Sequence, residues 1–230
     1  MKLEGHQLSE KLPKLKDPVI REALELYSQL LYDVYASTPT VEYPEYLRRT
    51  EGFNMTPAQL QEMLDVWEKS SQDFSGPVWA NDAVGWAKMG VFATALMQNS
   101  KHNNFEFELK RAHLQYLGCF LTQGKSIKVK GDLGQWTGWG LQGGRIEVDG
   151  NLSFCTGQKM KAGEIIVNGD ISRMGAIEME GGLIHVKGDA EEYLGNKMKA
   201  GKVIVDGKLK GVSEDYISGE IYNKNVRVKP

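Results

Sequence analysis

The sequence predicts an α+β protein: a helical amino-terminal domain followed by a parallel β-helix of about six 19-residue coils. Three observations carry that reading. Gly131, Gly150, Gly169, Gly188 and Gly207 recur at a constant spacing of 19. Aliphatic residues keep the same period around them. Glycine is also unevenly spread, with five in residues 1–104 and 21 in residues 105–230. A fixed period of this length is the signature of a solenoid.

The amino-terminal part reads as helices. Asp17 can cap a helix running to Tyr35, with Pro18 at its first position and Ile20, Leu24, Tyr27, Leu31 and Val34 on one face. Ser37 to Asn54, carrying Tyr43, Tyr46, Phe53, Arg48 and Arg49, reads as a connector. It packs on helices or, alternatively, lines a ligand cleft between domains. Thr56-Pro-Ala-Gln59 is a capping box that opens a second helix to about Ser71, with Leu60, Met63, Leu64 and Trp67 as its apolar stripe. A third helix spans Asn81 to Gln98, with Trp86, Met89, Phe92, Leu96 and Met97 at helical spacing. Gly85 and Gly90 oppose it by about 1 kcal/mol each. The polar stretch Gln98-Asn-Ser-Lys-His-Asn-Asn104 marks the boundary between domains 1–104 and 105–230.

Each coil then has the same layout. Val129, Val148, Val167, Val186 and Val205 lie two residues before the glycines, and Ile127, Ile146, Ile165, Ile184 and Val203 two before those. Period-two alternation with polar residues makes a strand with one buried face. Leu133, Leu152, Ile171, Ala190 and Leu209 follow the glycines. Leu141, Met160, Met179 and Met198 share another register, with Ile217 next, and Gly144, Gly163, Gly182 and Gly201 another, with Gly219 one residue early. An atypical first coil fits at a spacing of 20, with Phe107, Leu109, Gly118, Leu121 and Gly124, and with Arg111 in the glycine position. Nineteen residues are too few for a helix-bearing crossover, so the coils stack directly into a column roughly 24 Å tall. Hexapeptide solenoids have 18-residue coils and leucine-rich repeats an Asn ladder. Neither fits, and the column is read as right-handed. The helical domain is expected to cap its first coil, while Lys208, Lys210, Lys224, Arg227 and Lys229 protect the far edge.

Candidate chemistry is sparse. The methionine register reads as stacked core, and Cys155 as apolar filler in a register with Trp136, Met174, Tyr193 and Val212. His6, His102, His113 and His185 form no metal-binding spacing, and His185 faces outward from its strand. Asp132, Asp170 and Asp189 follow strand glycines, where Asp bonds its own turn, although an acidic ladder also suits calcium or polysaccharide cleavage. Gly131-Asp-Leu-Gly134 and Gly138-Trp-Gly140 lack the following helix that a phosphate loop needs. Trp136 and Trp139 are interface candidates, or pack on the helical domain.

The runs Gln-Gly-Gly-Arg-Ile-Glu-Val-Asp-Gly (142–150), Met-Lys-Ala-Gly-Glu-Ile-Ile-Val-Asn-Gly-Asp (160–170) and Met-Glu-Gly-Gly-Leu-Ile-His-Val-Lys-Gly-Asp (179–189) resemble one glycine-rich-motif β-helix family. That family includes the carboxy-terminal domain of the glutamate synthase large subunit and one of the subunits of formylmethanofuran dehydrogenase. The resemblance covers residues 105–230 only. It implies a right-handed β-helix that supports other domains or subunits and contributes no catalytic residue. Ala176, in the register of Gly138, Gly157 and Gly195, departs from the pattern, as does the shortened stretch 208–219.

A net charge of −2 gives no strong pull toward nucleic acid or anionic lipid, and no apolar run is long enough to span a bilayer. The amino terminus has no signal-like apolar core, and two cysteines make no disulfide framework, so a cytoplasmic location is expected. The leading functional expectation is a non-catalytic scaffold without cofactor or metal, docking a protein partner or a second copy. The alternatives are a small-molecule binder using the groove between the domains, an accessory subunit of a glutamate-synthase-like or formylmethanofuran-dehydrogenase-like redox complex, and an enzyme using Asp132, Asp170 and Asp189.

Overall fold

The computed structural model describes residues 15–33, 39–70, 82–110 and 114–229. The chain divides into two compact units, residues 1–102 and 103–230.

The first unit holds helices α1 (Pro18–Asp33), α2 (Pro39–Arg49), α3 (Pro57–Ser70) and α4 (Asp82–Asn99). Proline opens α1, α2 and α3, where its missing N–H costs nothing. Asp17 Oδ1 accepts the N–H groups of Val19 at 2.8 Å and Ile20 at 3.3 Å. Its Oδ2 accepts the Gln59 amide at 2.9 Å, so the cap of α1 is tied to the first turn of α3. That amide, with the two capping N–H groups, holds the Asp17 carboxyl below its ordinary pKa against the opposing effect of burial. Gln59 also closes the capping box, accepting from Thr56 N at 3.0 Å and donating its own N–H to Thr56 Oγ1 at 3.2 Å. Ile20, Leu24, Tyr27, Leu60, Met63 and Leu64 are buried as their spacing requires. Val34 and the side chains of Leu31 and Trp86 lie outside the described residues. Helix α4 passes through both glycines, and residues 89–97 are all buried.

The connector reading is corrected in part. Residues 39–49 form α2 with Pro44 inside it, and Tyr43 and Tyr46 are core residues of the helical unit. Tyr46 meets Phe92 edge-on at 6.1 Å, and Phe92 also lies 5.4 Å from Tyr27. Burying these rings outweighs the backbone bond that Pro44 removes. Arg48 pairs with Glu45 at 2.7 Å on the exposed side.

The second unit is a β-solenoid of about six turns. Its strands are β1 (Asn104–Glu108), β2 (Ser126–Lys130), β3 (Gln142–Asp149), β4 (Ala162–Val167), β5 (Leu183–Val186), β6 (Lys202–Val205), β7 (Glu220–Asn223) and β8 (Val226–Lys229). They hydrogen-bond in chain order, parallel from β1 to β7, and β8 turns back antiparallel on β7. Ile127, Ile146, Ile165, Ile184 and Val203 stack in one inward row, and Val129, Val148, Val167, Val186 and Val205 in the next. None of these ten is more than 1 % exposed. Leu133, Leu152, Ile171, Ala190 and Leu209 form a second ladder of parallel bridges. Met160, Met179 and Met198 are fully buried.

The strand-ending glycines are required by close approach rather than by turning. Of the five, only Gly131 has a left-handed φ, 117°. A Cβ on Gly150, Gly169, Gly188 or Gly207 would overlap the carbonyl oxygen of the equivalent glycine one coil below. Gly188 N donates to that oxygen on Gly169 at 3.0 Å, as Gly207 N does to Gly188. No side chain fits between coils bonded this closely.

The structure corrects the register at both ends. Phe105 and Phe107, not Phe107 and Leu109, pair with Ile127 and Val129. Leu109, rather than Arg111, therefore takes the register of Gly131, and Arg111 lies outside the described residues. The following corner keeps the spacing of 20, since Tyr116 N reaches Gln135 O and Phe120 N reaches Trp139 O. At the other end one residue is lost before Val212, which bridges Leu194 and so leaves the register of Tyr193. Ile217 does not continue the methionine row: its N–H reaches Met198 O, as Lys199 N reaches Met179 O, and its side chain is 61 % exposed. Tyr216, half-buried, takes the register of Met198 instead, with its hydroxyl donating to Gly219 O at 2.6 Å.

Candidate docking surface

Between successive strands each coil turns a corner in which every second residue is left-handed. One row is Tyr116, Trp136, Cys155, Met174 and Tyr193, with φ between 57° and 65°. The second row is Gly118, Gly138, Gly157, Ala176 and Gly195, and the third is Phe120, Gly140, Lys159, Glu178 and Lys197. Non-glycine residues adopt this conformation at a cost of roughly 1–2 kcal/mol each. Hydrogen bonds between coils hold them there. Trp136 N donates up to Phe154 O at 2.9 Å, Gly138 N down to Leu117 O at 2.9 Å, and Gly140 N up to Gln158 O at 2.8 Å. Met174, Ala176 and Glu178 repeat the up, down, up order on Glu192, Thr156 and Asn196. The glycine N–H groups that superficially suggest a phosphate loop are thus engaged in stacking.

This geometry corrects the reading of Cys155 as a buried apolar filler. Cys155 is half-buried, while Met174, Tyr193 and the adjacent Phe154 are 41 %, 54 % and 40 % exposed. At the start of the stripe Trp136 stacks flat on Tyr116, with ring centroids 4.8 Å apart. Burial pushes the Cys155 thiol up in pKa, with a hydrogen bond involving the Trp136 side chain acting the other way, so the sulfur is no ready nucleophile. Trp139 behaves differently from Trp136. It is 9 % exposed, meets Phe120 edge-on at 5.0 Å and carries Lys159 over its ring. Charged pairs flank the stripe: Arg173 with Glu192 at 3.0 Å and Lys159 with Glu178 at 3.8 Å. The corner thus presents an apolar strip bordered by paired charges.

The acidic ladder has a structural duty. Asp132 Oδ1 accepts Asn151 N, Asn151 Oδ1 accepts Asp170 N, Asp170 Oδ1 accepts Asp189 N, and Asp189 Oδ1 accepts Lys208 N, all at 2.7–2.8 Å. Each side chain bonds the coil above, where the sequence reading has it bonding its own turn. A groove of about 270 Å³ runs along this staircase, lined by Asn151, Asp170, Ser172, Asp189, Glu191 and Lys210. Lys210 pairs with Glu191 at 2.8 Å rather than guarding the end of the sheet. His185 faces outward and pairs with Asp206 at 2.8 Å, while His6 and His113 lie outside the described residues. Among the described residues no group of three or more His, Cys, Asp or Glu side chains could hold a metal ion. No helix among them is long and apolar enough to cross a membrane.

No family model, curated protein or solved structure matches the chain.

Proposed function

We propose that the chain is a non-catalytic scaffold or assembly protein whose solenoid docks a partner subunit or a second copy. One observation carries this reading. Phe154, Met174 and Tyr193, three of the large apolar side chains most open to solvent, stand together on one corner of the column. The isoleucine and valine rows of the strands are buried, and Asp132, Asn151, Asp170 and Asp189 are committed to bonds with the next coil. The resemblance of residues 105–230 to the glycine-rich-motif β-helices supports the same role. It extends the proposal to a right-handed coil in an accessory subunit of a glutamate-synthase-like or formylmethanofuran-dehydrogenase-like redox complex.

The test is a native pull-down with the full chain and with a Met174→Asp/Tyr193→Asp variant. A stoichiometric partner, or self-association, that is lost in the variant at an unchanged melting temperature supports docking through the corner. Retention of every bound protein by the variant removes the corner from the proposal. Turnover of any substrate that depends on Asp132, Asp170 and Asp189 overturns the non-catalytic reading.

A further inference from the structure

The outward face of the parallel sheet changes character along the column. Across β2, β3 and β4 it is laced with ion pairs: Lys128 with Glu147 at 3.2 Å, Arg145 with Glu147 at 3.1 Å, and Arg145 with Glu164. From β4 onward the middle outward row is instead Ile166, His185, Ile204 and Tyr222, one residue per strand and in register. Leu183 stands beside this row on β5. All five are only half-buried, while the isoleucines and valines that alternate with them are buried. Contiguous apolar side chains left on an outer face mark an interaction site.

The row next to it carries the charges that identify the partner. In register from β3 to β7 it reads Arg145, Glu164, Leu183, Lys202 and Glu220. That order is self-complementary about Leu183: reversed and laid on itself, it sets Arg145 against Glu220 and Glu164 against Lys202. The middle row, Glu147, Ile166, His185, Ile204 and Tyr222, reverses about His185 in the same way and sets Ile166 against Ile204. Lys202 has no ion pair with any described residue, and its ammonium lies 4.6 Å from the centroid of the Tyr222 ring.

We propose that this face joins two copies of the chain about a two-fold axis that lies in the interface and runs parallel to the strands at β5. Such an axis reverses the order of the strands but keeps each row facing itself, so β4 of one copy faces β6 of the other. Across the about 10 Å that separates stacked sheets, Glu164 then meets Lys202 of the second copy, Ile166 meets Ile204, and Leu183 meets its own equivalent. Arg145 meets Glu220, although each also holds a pair within its own chain. His185 lies on the axis and keeps its bond to Asp206 at 2.8 Å. Lys187, at the next outward position, faces its own equivalent, with Asp206 one strand away in each copy. A partner of one sign would match only half of these charges, whereas a second copy matches both. The surface is separate from the corner of Met174 and Tyr193.

The experiment is sedimentation velocity of the full chain over a concentration series. A face of five strands, β3 to β7, is smaller than a standard interface, so the dimer belongs to the weak class and the series runs to about 200 µM. The wild type should dimerise reversibly. Lys202→Glu should weaken the dimer at least about tenfold at an unchanged melting temperature, because Glu164 then meets a glutamate. Glu164→Lys should do the same, and mixing the two single variants should restore association, since their contacts across the axis again join opposite charges. Lys202→Glu alone decides the matter if Glu164→Lys, which also breaks the pair with Arg145, does not fold. A monomer throughout the series, a dimer indifferent to Lys202→Glu, or two folded variants that do not associate on mixing overturns the proposal. A monomer whose pull-down partner is lost in Lys202→Glu gives the face to another protein and overturns it equally. Met174→Asp/Tyr193→Asp should leave this dimer intact; a dimer that it disperses while Lys202→Glu does not belongs to the corner instead.

Discussion

Asp170 donates its backbone N–H to Asn151 Oδ1 at 2.8 Å and offers Oδ1 to Asp189 N at 2.7 Å. Asn151 stands in the same staircase without a charge, so the acceptor oxygen is what the position requires. Asp170→Asn should therefore change stability by less than about 0.5 kcal/mol, whereas Asp170→Ala, which strands the Asp189 N–H, should cost about 1 kcal/mol. Urea denaturation of the two variants checks this; an equal loss in both would mean that the charge matters instead. The recurrence of Asp after glycine was visible in the sequence. The direction of the bond was not, because the same residue pair serves a local turn equally well and only the neighbouring coil, about 4.8 Å away, decides. Cys155 shows the opposite failure. Its register mixes Trp, Cys, Met and Tyr, while the buried strand rows hold only Ile and Val, and that mixture was the available sign of an outward-facing corner.

Ala176 looks like a blemish in a glycine row until its neighbours in the column are compared. A Cβ on Gly138 would overlap Cδ1 of Ile165, and one on Gly157 would overlap Cδ1 of Ile184, each on the strand after next. Gly195 stands in the same relation to Ile221. For Ala176 the corresponding strand residue is Val203, which has no δ-methyl group. The alanine methyl occupies the space that isoleucine fills elsewhere, and Ala176 is fully buried at a φ of 59°. Val203→Ile alone should then cost about 1–3 kcal/mol through overpacking, and Ala176→Gly added to it should restore most of the loss. A double-mutant cycle by chemical denaturation measures the coupling. Additive losses would show that the two side chains do not share one site. The strands themselves were legible because their period is fixed by burial. Helix α2 was hidden by its prolines, since Pro44 argues against a helix locally and only the burial of Tyr46 against Phe92 decides for one.

Across the whole molecule, the outer faces of the coils carry carboxylates held below their ordinary pKa. Hydrogen bonds from Arg145 and Lys128 act on Glu147, the Asn168 amide and then Lys128 act on Asp149, and Lys199 and Lys210 act on Glu180 and Glu191. Depressed carboxylates stabilise the fold above their unfolded pKa values, and that contribution disappears as pH falls through the lower folded ones. The melting temperature should hold near neutrality and drop on acidification below about pH 4.5. A flat acid limb would rule these pairs out as contributors. The same stacking logic makes the coil an exchangeable unit. Gly163 and Gly182 are equivalent positions, both left-handed, and β4 and β5 pair in register at Ile165–Ile184 and Val167–Val186. Excising residues 164–182 joins Gly163 to Leu183 and brings β3 against β5 with each isoleucine and valine still over its equivalent. If stability is a sum of coil and nearest-neighbour terms, the shortened chain should fold cooperatively, with a lower melting temperature and a smaller dependence of its unfolding free energy on denaturant. Loss of cooperative unfolding on this excision would mean that the coils are not interchangeable layers, and that stability depends on contacts reaching beyond adjacent turns.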